Sequence, residues 1–266
     1  MQKKLSVIAA TVVLLGLSAC SLLPEKADET KGWSATKLYS EAMEELNGGH
    51  YERAVQLFEK LESSYPFGTY AQQAQMNIAY AQYKAQDQAQ ALAAVERFIK
   101  LHPNHANVDY MYYLRGLINF NDQISFLNFI YEQDPTERDP KATREAYAAF
   151  KALVEKFPNS QYTPDAIDRM KYLINAMASY EVHVARYYYR RGAYLAAINR
   201  AQGVIADYRD SPSIEEALYI MIRGYDKMGN KALHDDALRV FKQNYPESKF
   251  LKGDADKDKA WWKFWG

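Results

Sequence analysis

Cysteine is nearly absent from this chain, which has one in 266 residues, at position 20. No intramolecular disulfide can form, so stability must come from an apolar core, which a chain of this length can bury. An excess of charge is also missing: 33 Lys and Arg stand against 33 Asp and Glu. That balance argues against nucleic acid, which needs a basic footprint. No alternating polar and apolar run long enough for a sheet occurs, which points away from strands. Phosphate loops, Gly-x-Ser-x-Gly and His-Glu-x-x-His are absent too. Of the histidines His50, His102, His105, His183 and His234, only His102 and His105 are close, in a Pro-Asn loop with no third ligand nearby. Solvated loop histidines are the expectation there, not a metal site. The carboxylate pairs Glu44-Glu45 and Asp235-Asp236 are adjacent and point in different directions on a helix, as solvated faces do. Neither an enzyme nor a bound cofactor is expected.

What is present begins at the N-terminus. Lys3 and Lys4 precede an apolar stretch from Leu5 to Leu17, which is short for a membrane span and laid out as a signal peptide. It ends in Leu17-Ser18-Ala19-Cys20, which resembles the lipobox of bacterial lipoproteins. The resemblance implies that residues 1–19 are removed and that Cys20 carries a covalent lipid. Ser21, in place of Asp, resembles a signal for sorting to the outer membrane. An uncleaved anchor or a buried free thiol are the other readings of this segment. Cleavage would leave 31 basic and 33 acidic side chains. Residues 20–33, with Pro24 and little apolar content, read as a flexible tether to a domain on the periplasmic side.

From residue 34 to about residue 250 amphipathic helices follow one another. Pro66, Pro103, Pro158, Pro212 and Pro246 punctuate them at intervals of 37, 55, 54 and 34 residues. Two intervals match a helix-turn-helix repeat of about 34 residues, and two match it with an insertion of roughly 20. Within the repeats the small residues recur in register. Ala42 and Ala54 are followed by Phe58, Leu61 and Pro66, while Ala79 and Ala91 are followed by Val95, Phe98 and Pro103. Gly116 with Ala146, Phe150, Leu153 and Pro158 forms a third unit. Ala185, Tyr194 and Ala197 form a fourth, and Ala237 with Phe241 a fifth. Alanine lets helices cross closely, large apolar residues fill the space beside it, and proline ends the second helix. The set resembles the tetratricopeptide repeat. It predicts an all-α, right-handed superhelix of five units, near 35–68, 72–105, 109–160 with an insertion at 120–140, 165–212 and 213–248.

In such a superhelix the inner surface comes from the first helix of each unit. The register assigns to it Tyr39, Met43 and Asn47, then Met76, Tyr80 and Lys84, then Tyr110, Tyr113, Leu117 and Asn121. Tyrosine, at 22 residues, is abundant. Rings with hydroxyl tips and adaptable methionines suit an extended segment with alternating apolar side chains. Packing between helices is the other reading of each residue. On the first reading, Tyr80→Ala weakens binding of a peptide with an aromatic end and leaves melting nearly unchanged. The insertion, with Ile124, Phe126, Leu127, Phe129, Ile130 and Tyr131, is too apolar for a solvated loop. Arg186, Arg190 and Arg200 are candidates to meet an acidic partner, or are solvated charges on a packed helix. Residues 251–266 read as a charged linker ending in Trp261, Trp262 and Trp265, which suit a membrane interface or a docking contact equally.

Several strings together resemble the YfiO or ComL family of outer-membrane lipoproteins. They are Tyr65-Pro-Phe-Gly-Thr-Tyr70, Arg97-Phe-Ile-Lys-Leu-His-Pro103, Arg115-Gly-Leu117, Arg138-Asp-Pro140 and Pro158-Asn-Ser-Gln-Tyr162. The resemblance covers about residues 17 to 245 and implies a non-enzymatic subunit of the β-barrel assembly (BAM) complex. It implies binding of unfolded outer-membrane proteins by the N-terminal repeats, and docking of the periplasmic domains of BamA and of accessory lipoproteins by the C-terminal repeats. It makes Arg200, in Arg191-Gly-Ala-Tyr-Leu-Ala-Ala-Ile-Asn-Arg200, the candidate contact with the barrel subunit. The degenerate fifth unit and the tryptophan tail depart from the family pattern. The alternative is a peptidoglycan-associated lipoprotein whose groove organises cell-wall enzymes or binds glycan.

Overall fold

A computed structural model describes residues 29–120 and 140–251. Cys20, most of the insertion with Asn121, and the tail with Trp261, Trp262 and Trp265 lie outside the described residues. Among the described residues there are ten helices and no strand. They are α1 (Ala35–Asn47), α2 (Tyr51–Ser64), α3 (Thr69–Lys84), α4 (Gln88–Leu101) and α5 (Val108–Phe120), then α6 (Pro140–Lys156), α7 (Thr163–Arg190), α8 (Tyr194–Asp207), α9 (Ser213–Lys227) and α10 (Lys231–Asn244).

Local chemistry sets the ends. Ser34, Asp87 and Asn230 cap α1, α4 and α10 by accepting from the amides of Lys37, Gln90 and Leu233, which satisfies donors the first helical turn leaves open. Pro164 opens α7, where its missing N–H costs nothing. In the four pairs whose connecting turn lies among the described residues, that turn passes through one left-handed residue: Gly49, Gln86, Gly192 or Gly229. Between pairs a second turn recurs. The amides of His105, Ser160, Ser211 and Ser248 donate to the carbonyls of His102, Phe157, Tyr208 and Tyr245, and three residues further on the amides of Val108, Thr163, Ile214 and Leu251 repeat the step. The junction after α2 is different. It runs through Tyr65-Pro66-Phe67 to Gly68, which has φ +99°.

Each helix packs on its chain neighbours, and α1 also touches α3, α3 touches α5 and α7 touches α9. The product is a stack of helix pairs whose core runs from one pair into the next. The small residues of the register mark the crossings. Ala42, Ala54, Ala79, Ala91, Ala146, Ala185 and Ala197 have no exposed surface, nor do Phe58, Phe98, Phe150 and Phe241 beside them. Gly116 is the tightest crossing, since a methyl group there would stand 2.3 Å from the Phe150 ring.

One element differs from the repeat expectation: α7 runs unbroken for 28 residues. Its apolar face serves two partners in turn. Ala166 and Leu173 join the core around α5 and α6, and Ala178, Val182 and Ala185 join the core around α8 and α9. An amphipathic stripe with a partner along its whole length has no reason to break.

Candidate binding surfaces

The first helices of the N-terminal pairs bring tyrosines together. Asn77 on α3 donates through Nδ2 to the Tyr39 hydroxyl at 3.4 Å and to Met43 Sδ at 3.4 Å. The Tyr39 ring meets Phe58 edge-on at 5.9 Å and Tyr70 at 5.3 Å. Tyr39 and Met43 are therefore half-buried, adjacent, and joined by a residue the sequence reading passed over. Met76 is elsewhere: it is 8% exposed and packs inside the core of α3, α4 and α5, not on the open face. The cause is the width of the buried face of α3, which has helices on several sides and buries seven residues. The part left open runs through Gln73, Asn77, Tyr80 and Lys84, one helical face displaced from Met76 by a single residue. Tyr80 is half-buried and packs against two core clusters at once, so it is at least as much packing as groove.

A second group lies on α5 and the start of α7. Tyr113 and Tyr162 stack at 4.9 Å with 15° between ring planes, and Tyr110 meets Tyr162 at 5.5 Å. The Tyr113 hydroxyl donates to Asp165 Oδ2 at 2.6 Å, and Arg169 Nε donates to the same oxygen at 2.6 Å. Burial pushes the Asp165 carboxyl up, but these two donors and the guanidinium charge outweigh it and hold the group below its ordinary value. The Tyr113 phenol is pushed up to about 12, first by burial and then by its bond to Asp165. Burial raises Tyr110 as well, helped by the neighbouring Tyr80, Tyr162, Tyr83 and Tyr113. These hydroxyls stay protonated at physiological pH; that of Tyr110 can donate to a bound backbone, while that of Tyr113, whose proton goes to Asp165, can only accept. Leu117, one turn on from Tyr113, packs against the core beside Phe150.

Lys84 lies one turn beyond Tyr80. It is exposed at the end of α3 and lines a 510 Å³ cleft with His50, Tyr51, Glu52 and Arg53. Asn47, at the end of α1, is exposed. At the other end of the chain the arginines are engaged within the molecule. Arg186 on α7 donates through Nε and Nη2 to the two carboxylate oxygens of Glu216 on α9, both at 2.9 Å. Arg200 on α8 pairs with Glu181 on α7 at 3.0 Å while keeping 47% of its side chain exposed. Arg190 is exposed. Arg186 thus ties two helices together, while Arg190 and Arg200 stay exposed.

No helix among the described residues is long and apolar enough to cross a membrane. Stacked helix pairs with a shared core and side chains offered from the first helix of each pair define a tetratricopeptide-like scaffold. The chain belongs to the YfiO family, described as an outer membrane lipoprotein, whose model matches residues 32–240. Among its relatives, the protein of Neisseria meningitidis serogroup B strain MC58 is 49% identical over 97% of this chain and 98% of its own length. That of Xylella fastidiosa strain Temecula1 is 38% identical over 98% of this chain and 86% of its own. That of Haemophilus influenzae Rd is 31% identical over 97% and 92%. All three are named outer membrane protein assembly factor BamD. A solved kinesin light chain with nearly identical TPR-like repeats, from Podosopora anserina, covers 80% of this chain at 13% identity with a TM-score of 0.33. With this family, the chain is a non-enzymatic scaffold associated with the outer membrane.

Proposed function

We propose that this chain is the scaffold lipoprotein of an outer-membrane β-barrel assembly complex, held at the periplasmic face by a lipid on Cys20. The inner surface of the first three helix pairs receives an extended aromatic segment of an unfolded outer-membrane protein. The C-terminal pairs, through Arg190 and Arg200, dock the periplasmic domains of the barrel-forming subunit, BamA, and the same half of the molecule meets accessory lipoproteins. The observation that carries the first part is the row of half-buried tyrosines, Tyr39, Tyr80, Tyr110 and Tyr113, interleaved with Asn77. Rings supply apolar area at low entropic cost, while the hydroxyls and the amide offer hydrogen bonds that do not depend on the sequence of the bound chain. The names carried by relatives up to 49% identical point to the same process.

The test is the affinity of a labelled peptide ending in an aromatic residue, measured by anisotropy. Tyr39→Ala should weaken binding about tenfold, the equivalent of roughly 1.4 kcal/mol. Leu57→Ala, buried beneath the surface, should lower melting at least as much and leave the affinity unchanged. Equal losses of affinity in the two variants would reduce Tyr39 to a packing residue and remove the groove.

A further inference from the structure

We propose that the Tyr65-Pro66-Phe67 loop, with Trp33 beside it, is a second membrane contact: an aromatic wedge resting in the interfacial layer of the bilayer to which the chain is anchored. Phe67 is the starting observation. It is 91% exposed, next to Tyr65 at 38% and Tyr70 at 37%. At the next two junctions the residue after the proline is polar, Asn104 and Asn159, and is exposed, whereas here the chain holds a Phe side chain out in water. A single exposed Leu would need no explanation, but a Phe within a group of aromatics does.

The loop is not loose. The Tyr65 hydroxyl donates to the Trp33 carbonyl at 2.8 Å, and Thr36 Oγ1 donates to the Tyr70 hydroxyl at 3.4 Å. Pro66 fixes one φ, and Gly68, at φ +99°, allows the sharp exit into α3. The ordering entropy of the wedge is thus already spent in the free protein, which favours insertion. Lys37 stands 4.1 Å above the Trp33 ring, so a cation accompanies the aromatic group, as it does in residues that settle at headgroup depth.

Continuity with the anchor selects a bilayer over other occupants, and the inference rests on the reading of Cys20 as the acylated residue. Nine residues lead from Cys20 to Glu29, where the described chain begins. Even fully extended, nine residues reach at most about 30 Å, so the end of the stack carrying Trp33 and Phe67 is held within that distance of the surface. Tyr and Trp rings favour the membrane interface, and lysines favour anionic headgroups. The wedge would fix the orientation of the first helix pair, which a lipid attached nine residues before it does not do by itself.

The experiment uses the mature chain from residue 20 with Cys20→Ser, Trp261→Ser, Trp262→Ser and Trp265→Ser, so that neither anchor nor tail contributes. Its sedimentation with vesicles of phosphatidylethanolamine and phosphatidylglycerol is compared with that of the same chain carrying Phe67→Ser. The expected result is vesicle binding that Phe67→Ser weakens about tenfold or more. The melting temperature should not change, since Phe67 faces water. Absence of binding, or binding that Phe67→Ser leaves unchanged, overturns the proposal. Binding that appears only when the barrel subunit is embedded in the vesicles would assign the loop to a protein, and overturns it too. Palmitate labelling of Cys20 in cells tests the anchor separately, so the two readings can fail independently.

Discussion

Gly116 has no room for a methyl group: a Cβ there would stand 2.3 Å from the Phe150 ring, which is itself without exposed surface. Replacing glycine by alanine within a helix gains about 1 kcal/mol of propensity, whereas overpacking a full core costs about 1–3 kcal/mol. With a rigid ring as the obstacle the second term lies toward its upper end, and Gly116→Ala should destabilise the fold by up to about 2 kcal/mol in denaturant titration. Tyr80 gives the opposite lesson. It packs against two core clusters, so Tyr80→Ala should lower stability by about 2 kcal/mol and shift the melting curve. This corrects the sequence-based expectation of an unchanged curve; an unchanged curve would restore Tyr80 to the groove alone. The positions of Ala42, Ala54, Ala79 and Ala91 were legible because size is what a helix crossing demands, and alanine advertises it at a fixed spacing. The choice between Met76 and Asn77 was not. Neighbouring residues on a helix differ by 100° in direction, and which of them faces the groove depends on how many helices surround α3.

Between elements, Tyr113 on α5 and Asp165 with Arg169 on α7 form a latch across a junction. The Tyr113 phenol titrates near 10 in an unfolded chain and near 12 in the folded one. The folded state therefore holds the proton more tightly. Its stabilisation is complete below pH 10 and is lost as pH rises toward 12. Tyr113→Phe should cost about 1 kcal/mol at neutral pH through the lost hydrogen bond. It should also flatten the fall in melting temperature between pH 10 and 12; an alkaline limb as steep as the parent's would mean that the latch carries no stability. Sequence reasoning reached Tyr113 through the repeat register but missed Tyr162, Asp165 and Arg169, which belong to the next pair and meet α5 only once the stack forms. The length of α7 was hidden for a related reason, since each half of the helix satisfies a different neighbour.

At the scale of the whole molecule, the stack separates two kinds of surface. The N-terminal pairs present tyrosine rings and an amide, suited to a chain of variable sequence. The C-terminal pairs present charges largely matched within the protein, with Arg186 on Glu216 and Arg200 on Glu181. A partner that docks on Arg200 must compete with or join the Glu181 pair, which favours recognition by an acidic group in fixed geometry. The most direct test of the assembly role is recovery of the barrel-forming subunit on tagged protein from detergent-solubilised envelopes. Three forms should be compared: the parent, Arg200→Glu, and Arg200→Glu combined with Glu181→Arg, which restores the internal pair with reversed polarity. The account predicts that the parent recovers the subunit and that both variants lose at least about tenfold of it, because the partner reads the charge at position 200 itself. Full recovery by the double variant would confine Arg200 to holding α7 and α8 together. Recovery of cell-wall enzymes or glycan by the parent, with no barrel subunit, would contradict the assembly role altogether.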